Sequence, residues 1–447
     1  MPESASTEFS NSTALEAYRA KLREYSLALV AAQKPIRIID AIKWDGSIEQ
    51  EALRTGLRSL PSATPEYYRE RRQLGFDPLA KIQEFEELKT AISKNPGRDD
   101  ELGAILYRNC DNYQSAVRML MARGTPEFFK HGRELYGSPR DHFDGDRTTI
   151  RDLGMLMGEI LGGIEDDHLG ARYEKNIPAE QVVERLRERF ELYFGSDPEM
   201  PASVRVMLDD GMLADAAAGS DYVKIKTGVL FSEKEIDLLE RHEGWVHVGT
   251  TFNGERQSTA RWLSKGPPCI SAVQEGLAVF MELITFTIYP GRGRKLNDRI
   301  LACDMAVGGA DFVEVCEFYR GQGYSEADCY RNASRIFRGG VVSGGAPFTK
   351  DIGYCKGMVM VYNFLRTAIR LGKPMIIPFL FAGKVVLEDV PVLYRKYKEG
   401  VIDAPVFLPP QFRDLNGLAM WMAYSNFFNR VNLDQVRAYY GRLIEGC

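Results

Sequence analysis

Histidine is scarce in this chain, with five residues in 447. Any imidazole chemistry must draw on His131, His142, His168, His242 or His247. The seven cysteines (Cys110, Cys269, Cys303, Cys316, Cys329, Cys355, Cys447) are odd in number and form no C-x-x-C. They read as thiols in a reducing compartment, not as a disulfide framework. No apolar run approaches the roughly 20 residues needed to span a bilayer. The polar start, MPESASTEFSNSTALEAYRAKL, has no apolar signal-peptide core. A cytoplasmic protein with no membrane partner is the expectation. Positive charge is not concentrated either: the net charge is −5. The densest patch, Glu66 to Arg72 (EYYRERR), mixes signs as a solvated helix face does. Nucleic acid is therefore not an expected partner.

Several catalytic signatures are also missing. Around Ser343 the G-x-S-x-G pattern fails, because Val341 stands where its first glycine should be. There is no G-x-x-x-x-G-K-[ST] loop. Gly291-Arg292-Gly293 lacks the third glycine of a dinucleotide loop, and Asp141 to Asp146 (DHFDGD) has the wrong spacing for an EF-hand. His131, His142 and His168 have no partner pattern and read as structural or exposed.

What remains is concentrated in LLERHEGWVHVGTTFNG, residues 238–254, and SAVQEGLAVFMEL, residues 271–283. The first carries H-E-x-x-x-H as His242, Glu243 and His247; the second carries Glu275, 28 residues after His247. Two neutral imidazoles and a carboxylate are the donor set of a catalytic zinc, which keeps one position open for water. Glu243, beside the first ligand, is placed to take that water's proton. The spacing raises a difficulty, since residues five apart on an ideal α-helix diverge by about 140°. A π-bulge between His242 and His247 would bring them to one face, and Gly244 would ease it. On spacing alone, two unrelated histidines on a helix stay open as the plain alternative. Ser232 and Glu235 form a capping box at the start of this helix. Glu282, seven residues after Glu275, shares nearly its face; it either orients a histidine ligand or is solvated or salt-bridged.

Around this centre the chain reads as mostly helical. Residues 1–15 are expected to be a disordered lead. Apolar stripes at three- and four-residue steps mark helices over 102–122, after Thr125-Pro126, and after Pro178, where Val182, Leu186, Phe190 and Tyr193 align. GSDPEMPAS at 195–203 is the expected boundary between a helical N-terminal region, 1–202, and a catalytic region, 203–447. Residues 203–208 and 221–231 alternate as strands do. Metallopeptidases commonly bind the substrate backbone along a strand preceding the zinc helix. Tyr222 to Lys226, with Tyr222 and Lys224 as substrate contacts, is assigned that role; an ordinary sheet strand is the alternative. The glycine-rich stretch from Arg331 to Gly357 holds Arg338, Lys350 and Tyr354. Arg338 and Lys350 suit a substrate's terminal carboxylate and Tyr354 a developing oxyanion, unless this is a loop with solvated basic residues.

HEGWVH, TTFNGERQ, QEGLA, RIFRGG and PFTKDIGYCKG, in that order, resemble the QEGLA-motif proteins, a bacterial group whose name refers to modulation of flavohaemoglobin expression. They are similar to the eukaryotic microtubule-associated tyrosine carboxypeptidase, a zinc enzyme with H-E-x-x-x-H. The resemblance runs from about Leu74 to Leu415. It implies a metallopeptidase fold, zinc ligands matching His242, His247 and Glu275, and a general base matching Glu243. It also implies removal of an aromatic or acidic residue from a peptide or protein C-terminus. The fold expected is α+β: a mostly helical, gluzincin-like zinc metallopeptidase with a small β-sheet before the zinc helix. Two rivals stand beside it: a regulatory metal-binding protein linked to flavohaemoglobin expression, and a zinc amidohydrolase acting on small acyl or cell-wall peptides.

Overall fold

Helix boundaries follow the punctuation of the sequence. Thr64-Pro65, Asp77-Pro78 and Thr125-Pro126 each place an N-cap residue before a proline at the first helical position, and helices Pro65–Arg71, Pro78–Lys94 and Pro126–Tyr136 begin there. In the computed structural model, which describes residues 3–164, 169, 173–195 and 202–444, helices dominate and strands are short. The chain is α+β. Among the described residues no helix is long and apolar enough to cross a membrane.

The N-terminal stretch expected to be a disordered lead belongs to a helix, Glu3–Gln33. No glycine or proline interrupts it, and Leu22, Tyr25 and Leu29 anchor it in the largest core cluster. That cluster joins these residues and Phe85, Leu106 and Tyr113 to Trp262, Leu277, Phe381 and Phe412. Helices before residue 202 and elements after it thus share one core. Residues 196–201, within the expected boundary, and His168 lie outside the described residues.

Among the described residues, five strands form two small sheets. β1 (Ile177–Pro178) pairs antiparallel with β5 (Leu230–Phe231). The other sheet has β2 (Arg205–Asp209), β3 (Ala216–Ala218) and β4 (Tyr222–Lys226) in the order β2-β4-β3, parallel then antiparallel. Val223 and Ile225 are buried with Val182, Leu186 and Phe190 of the helix Ala179–Phe194. The position of β4 corrects the expectation for Tyr222 to Lys226. It is the central strand, both its edges are taken, and no substrate backbone can add to it. The edge next to the motif helix belongs to β3.

The tightest helix contact positions the site. A Cβ on Gly276 would fall 2.0 Å from the Gly357 backbone, and one on Gly357 would fall 1.6 Å from the Ala272 carbonyl oxygen. Two motif glycines therefore let the helices Ser271–Ile284 and Gly353–Arg370 touch backbone to backbone. Gly357→Ala should cost about 3 kcal/mol or more, the upper range for overpacking. Gly417→Ala, on a helix with nothing within 4 Å of the new Cβ, should be neutral or stabilising by up to about 1 kcal/mol. Thermal midpoints of the two variants against the parent check the contrast.

Candidate metal centre and its clefts

The motif helix begins at Ser232, whose hydroxyl accepts from the Glu235 amide while the Glu235 carboxylate accepts from the Ser232 amide. One α-helical stretch, Glu233–Leu239, gives way to π-helix over Glu240–Val248, and α-helix resumes at Gly249–Arg256. The wide turns put His242 and His247 on one side, with ring centroids 4.9 Å apart. Gly244 serves packing rather than backbone freedom, since a Cβ there would lie 2.1 Å from the Phe190 ring. Side-chain donors collect on the carbonyls where the π turns end. Lys384 Nζ donates to the His247 oxygen at 2.7 Å, Thr251 Oγ1 to the same oxygen at 2.9 Å, and Thr250 Oγ1 to the Val246 oxygen at 2.6 Å. Lys384 also donates to Gln274 Oε1 and Thr250 Oγ1, each at 3.0 Å. It thus ties the His247 turn to the residue beside Glu275. Burial, and Lys265 nearby, bring the Lys384 pKa down to about 7.

His242, His247 and Glu275 meet, each offering one ligand atom, all within 4.8 Å of one another. Both imidazole Nε2 atoms lie 3.5 Å from Glu275 Oε2. Tetrahedral bonds of 2.0–2.1 Å would set ligand atoms roughly 3.3 Å apart, close to these two imidazole–carboxylate distances. Glu275 Oε2 is also buried with no hydrogen-bond partner, a carboxylate oxygen that a cation would satisfy.

The surrounding groups fix these donors. His242 Nδ1 sits 2.7 Å from Glu282 Oε1, and Arg292 donates to both oxygens of that carboxylate at 2.9 and 3.2 Å. Glu282 therefore orients the His242 ring and is salt-bridged at once; it is fully buried. Burial opposes its charge, but Arg292 and His242 outweigh it and hold its pKa down to about 2. Burial likewise disfavours charge on His242, yet the facing Glu275 carboxylate and the hydrogen bond with Glu282 raise its pKa to about 10. Lys350 Nζ donates to Glu275 Oε1 at 2.8 Å. Burial works against the Glu275 charge too, and Lys350 and the two histidines hold its pKa well below the usual range.

Two clefts meet at the triad. One, of about 680 Å³, is lined by His242, Glu243, Tyr354, Ala216, Arg292 and Arg299 among others. The second, of about 400 Å³, reaches His247, Glu275, Lys350 and Ala218 to Ser220. A larger depression of about 1320 Å³ beside Leu283, Phe286 and Trp421 holds none of these residues. Glu243 is buried, and its Oε2 accepts from the Ala218 amide at 2.8 Å. The Tyr354 ring lies along that of His242, with centroids 6.2 Å apart.

Of the residues expected to bind substrate, Lys350 is in place but is already paired with Glu275. Arg338 is 6% exposed, stacks on Phe348 at 5.7 Å and lines neither cleft. Lys224 pairs with Asp209 at 2.5 Å, and the Tyr222 ring packs over Gly219. Neither reaches the triad, because the pleat that buries Val223 and Ile225 turns them to the opposite face. Spacing gave no sign of Lys384, Gln274 or Arg299. The remaining motif residues are structural. Asn253 makes four hydrogen bonds to backbone groups of Phe381, Val406 and Phe407, and Gln257 makes two to Asp403. Arg335 clamps Asp351 at 2.6 and 3.0 Å.

A family model described as microtubule-associated tyrosine carboxypeptidase matches residues 53–430. The chain belongs to that family. No curated protein matches it. Membership makes this a carboxypeptidase-type enzyme at a coarse level, with a protein or peptide as substrate. The five motifs all fall inside the matched span. They are the segments that build the triad, the glycine contact between helices and the Arg335–Asp351 clamp.

Removing a group that orients a metal ligand typically weakens metal binding by about 10–100-fold. Glu282→Gln keeps the shape but loses the charge facing His242 and Arg292. Titration of zinc into chelator-stripped protein should show a loss in that range for this variant. His242→Ala and His247→Ala should abolish stoichiometric binding.

Proposed function

We propose that the chain is a zinc-dependent metallocarboxypeptidase of gluzincin-like type that removes the last residue of a peptide or protein. The observation that carries this is the donor set. Three ligand atoms lie within 4.8 Å of one another, one of them a buried carboxylate oxygen without a hydrogen-bond partner, and a further carboxylate, Glu243, lines the adjoining cleft. Zinc, when bound, would polarise the scissile carbonyl and lower the pKa of a water to about 7.

The chain's own residues do the rest. Glu243 accepts the proton of the attacking water and passes it to the leaving amine. The Ala218 amide fixes one of its oxygens and leaves Oε1 for that exchange. Tyr354, against the His242 ring, directs its hydroxyl to the developing oxyanion. The outer edge of β3 aligns the substrate backbone, taking the role expected of Tyr222 to Lys226. Lys350 holds Glu275 in its charged form, so that it serves as a ligand. The regulatory reading leaves Glu243 without a task, and an amidohydrolase for small acyl groups leaves the β3 edge without one.

The test pairs two chemically identical substitutions. Glu243→Gln should keep zinc through dialysis against a chelator and lose about 10²–10⁴ in the rate of C-terminal trimming of a matched peptide. Glu275→Gln should lose zinc first, with activity partly restored by excess metal. Trimming by Glu243→Gln at the parent rate would sink the mechanism. A parent that trims nothing across a library of peptide C-termini favours the regulatory reading.

A further inference from the structure

A carboxypeptidase must tell a chain end from a chain middle, and the chemical mark of an end is the α-carboxylate. The cleft holding His242, Glu243 and Tyr354 contains several cations, nearly all engaged. Arg292 is bound to Glu282 at 2.9 and 3.2 Å, Arg335 to Asp351 at 2.6 and 3.0 Å, Arg331 to Asp328, and Lys175 to Glu235 at 2.6 Å. Lys295 stands 3.7 Å from Asp215.

Arg299 differs. It is 6% exposed, and its Nε and Nη1 are buried without a hydrogen-bond partner. The nearest carboxylate, Asp351, is 3.9 Å from Nε and already holds Arg335. The Arg299 guanidinium lies 5.0 Å from the centre of the Tyr354 ring. Buried guanidinium donors left unmatched are costly. A carboxylate, planar and able to accept two N–H groups at once, is their natural partner.

Strand polarity points to the same place. Gly219 donates to the Tyr222 carbonyl, and Lys226 donates to the Asp215 carbonyl. The odd-numbered residues of this segment therefore face β4; Ala216 turns its amide and carbonyl outward and Ala218 its carbonyl, the Ala218 amide being held by Glu243. A peptide adding antiparallel to β3 runs against the direction Ala216 to Ala218. Its C-terminal end then lies at Ala216, inside the Arg299 cleft, and its upstream residues leave past Ala218 to Ser220 through the second cleft.

We propose that Arg299 grips the α-carboxylate of the residue to be released, and that this residue occupies the cleft between Ala216 and Tyr354. The assignment rests on the carboxypeptidase reading above and moves the role from Arg338 and Lys350. Arg338 lines neither cleft, and Lys350 is spent on Glu275.

The experiment uses one peptide in two forms, with a free C-terminal carboxylate and with a C-terminal amide. The full-length zinc-loaded parent should trim the acid at least about 10²-fold faster than the amide, as for a buried charge pair losing one partner. Arg299→Met should lower kcat/KM for the acid by about 10²–10³-fold, mainly through KM, and leave the amide nearly unchanged. Arg299→Lys should recover part of the discrimination. A merely structural role would depress both forms equally. Parent-like discrimination in Arg299→Met overturns the proposal, as does a collapse of discrimination in Arg338→Met instead.

Binding of the same two peptides, fluorescently labelled at the N-terminus, separates this failure from failure of the carboxypeptidase reading. Should the parent hydrolyse neither form, tight binding of the acid over the amide that disappears in Arg299→Met still supports the clamp. Equal binding of both forms, in the parent or in Glu243→Gln, rejects it.

Discussion

An α-helix advances 100° per residue, so two ligands five positions apart point away from each other unless the helix is rewound. The whole centre depends on the stretch Glu240–Val248 being held in i→i+5 bonding, a form rare in isolation. Its neighbours supply the stabilisation. A capping box fixes the start of the helix at Ser232, Phe190 packs into the space a Cβ on Gly244 would fill, and Lys384, Thr250 and Thr251 hold the carbonyls at the far end. Lys384 extends that support to Gln274, one residue before Glu275. The geometry of His247 and that of Glu275 are thereby coupled.

Charge follows the same economy. Burying ionised groups is unfavourable unless each is matched, and around the triad they are matched in chains. Arg292 holds Glu282, Glu282 holds His242, His242 faces Glu275, and Glu275 is held by Lys350. Each link fixes one atom of the next, so the His242 and Glu275 side chains are held in place. Among the groups that break the pattern are Glu275 Oε2, facing the histidines, and Arg299, facing the cleft. One is an orphan acceptor beside two imidazoles and the other an orphan donor beside a tyrosine. An unmatched acceptor suits a cation, and unmatched donors suit an anion.

How far this could be read from the sequence depended on range. The π distortion was legible because it follows from two histidines and a fixed helical repeat, and local geometry decided it. His242, His247 and Glu275 were legible as a donor set because histidine is so scarce that two of them beside a glutamate stand out. The helices after Thr125 and Pro178 were readable from caps and stripes. Arg299 was not, because its meaning lies in having no partner, and partners come from segments 50 residues away, such as Asp351 with Arg335. Arg338 was misread for the complementary reason: a cation in a glycine-rich motif carries no label saying whether it faces a cleft or stacks on Phe348. The strand Tyr222–Lys226 was seen as a strand, but strand order is set by pairing across the sheet, which alternation within one strand does not encode.

The short edge strand bears on more than substrate alignment. Glu243 reaches across to Ala218, from whose amide it accepts at 2.8 Å, so its carboxylate is positioned from the strand on which a substrate would pair. The amides of Ala216 and Ala218 face the same way, one toward the cleft and one toward the base. A peptide registered on this edge is therefore registered relative to Glu243 through a single three-residue backbone, without an intervening side chain. Alanine at all three positions of β3 keeps that edge low, so that substrate and carboxylate can both approach it.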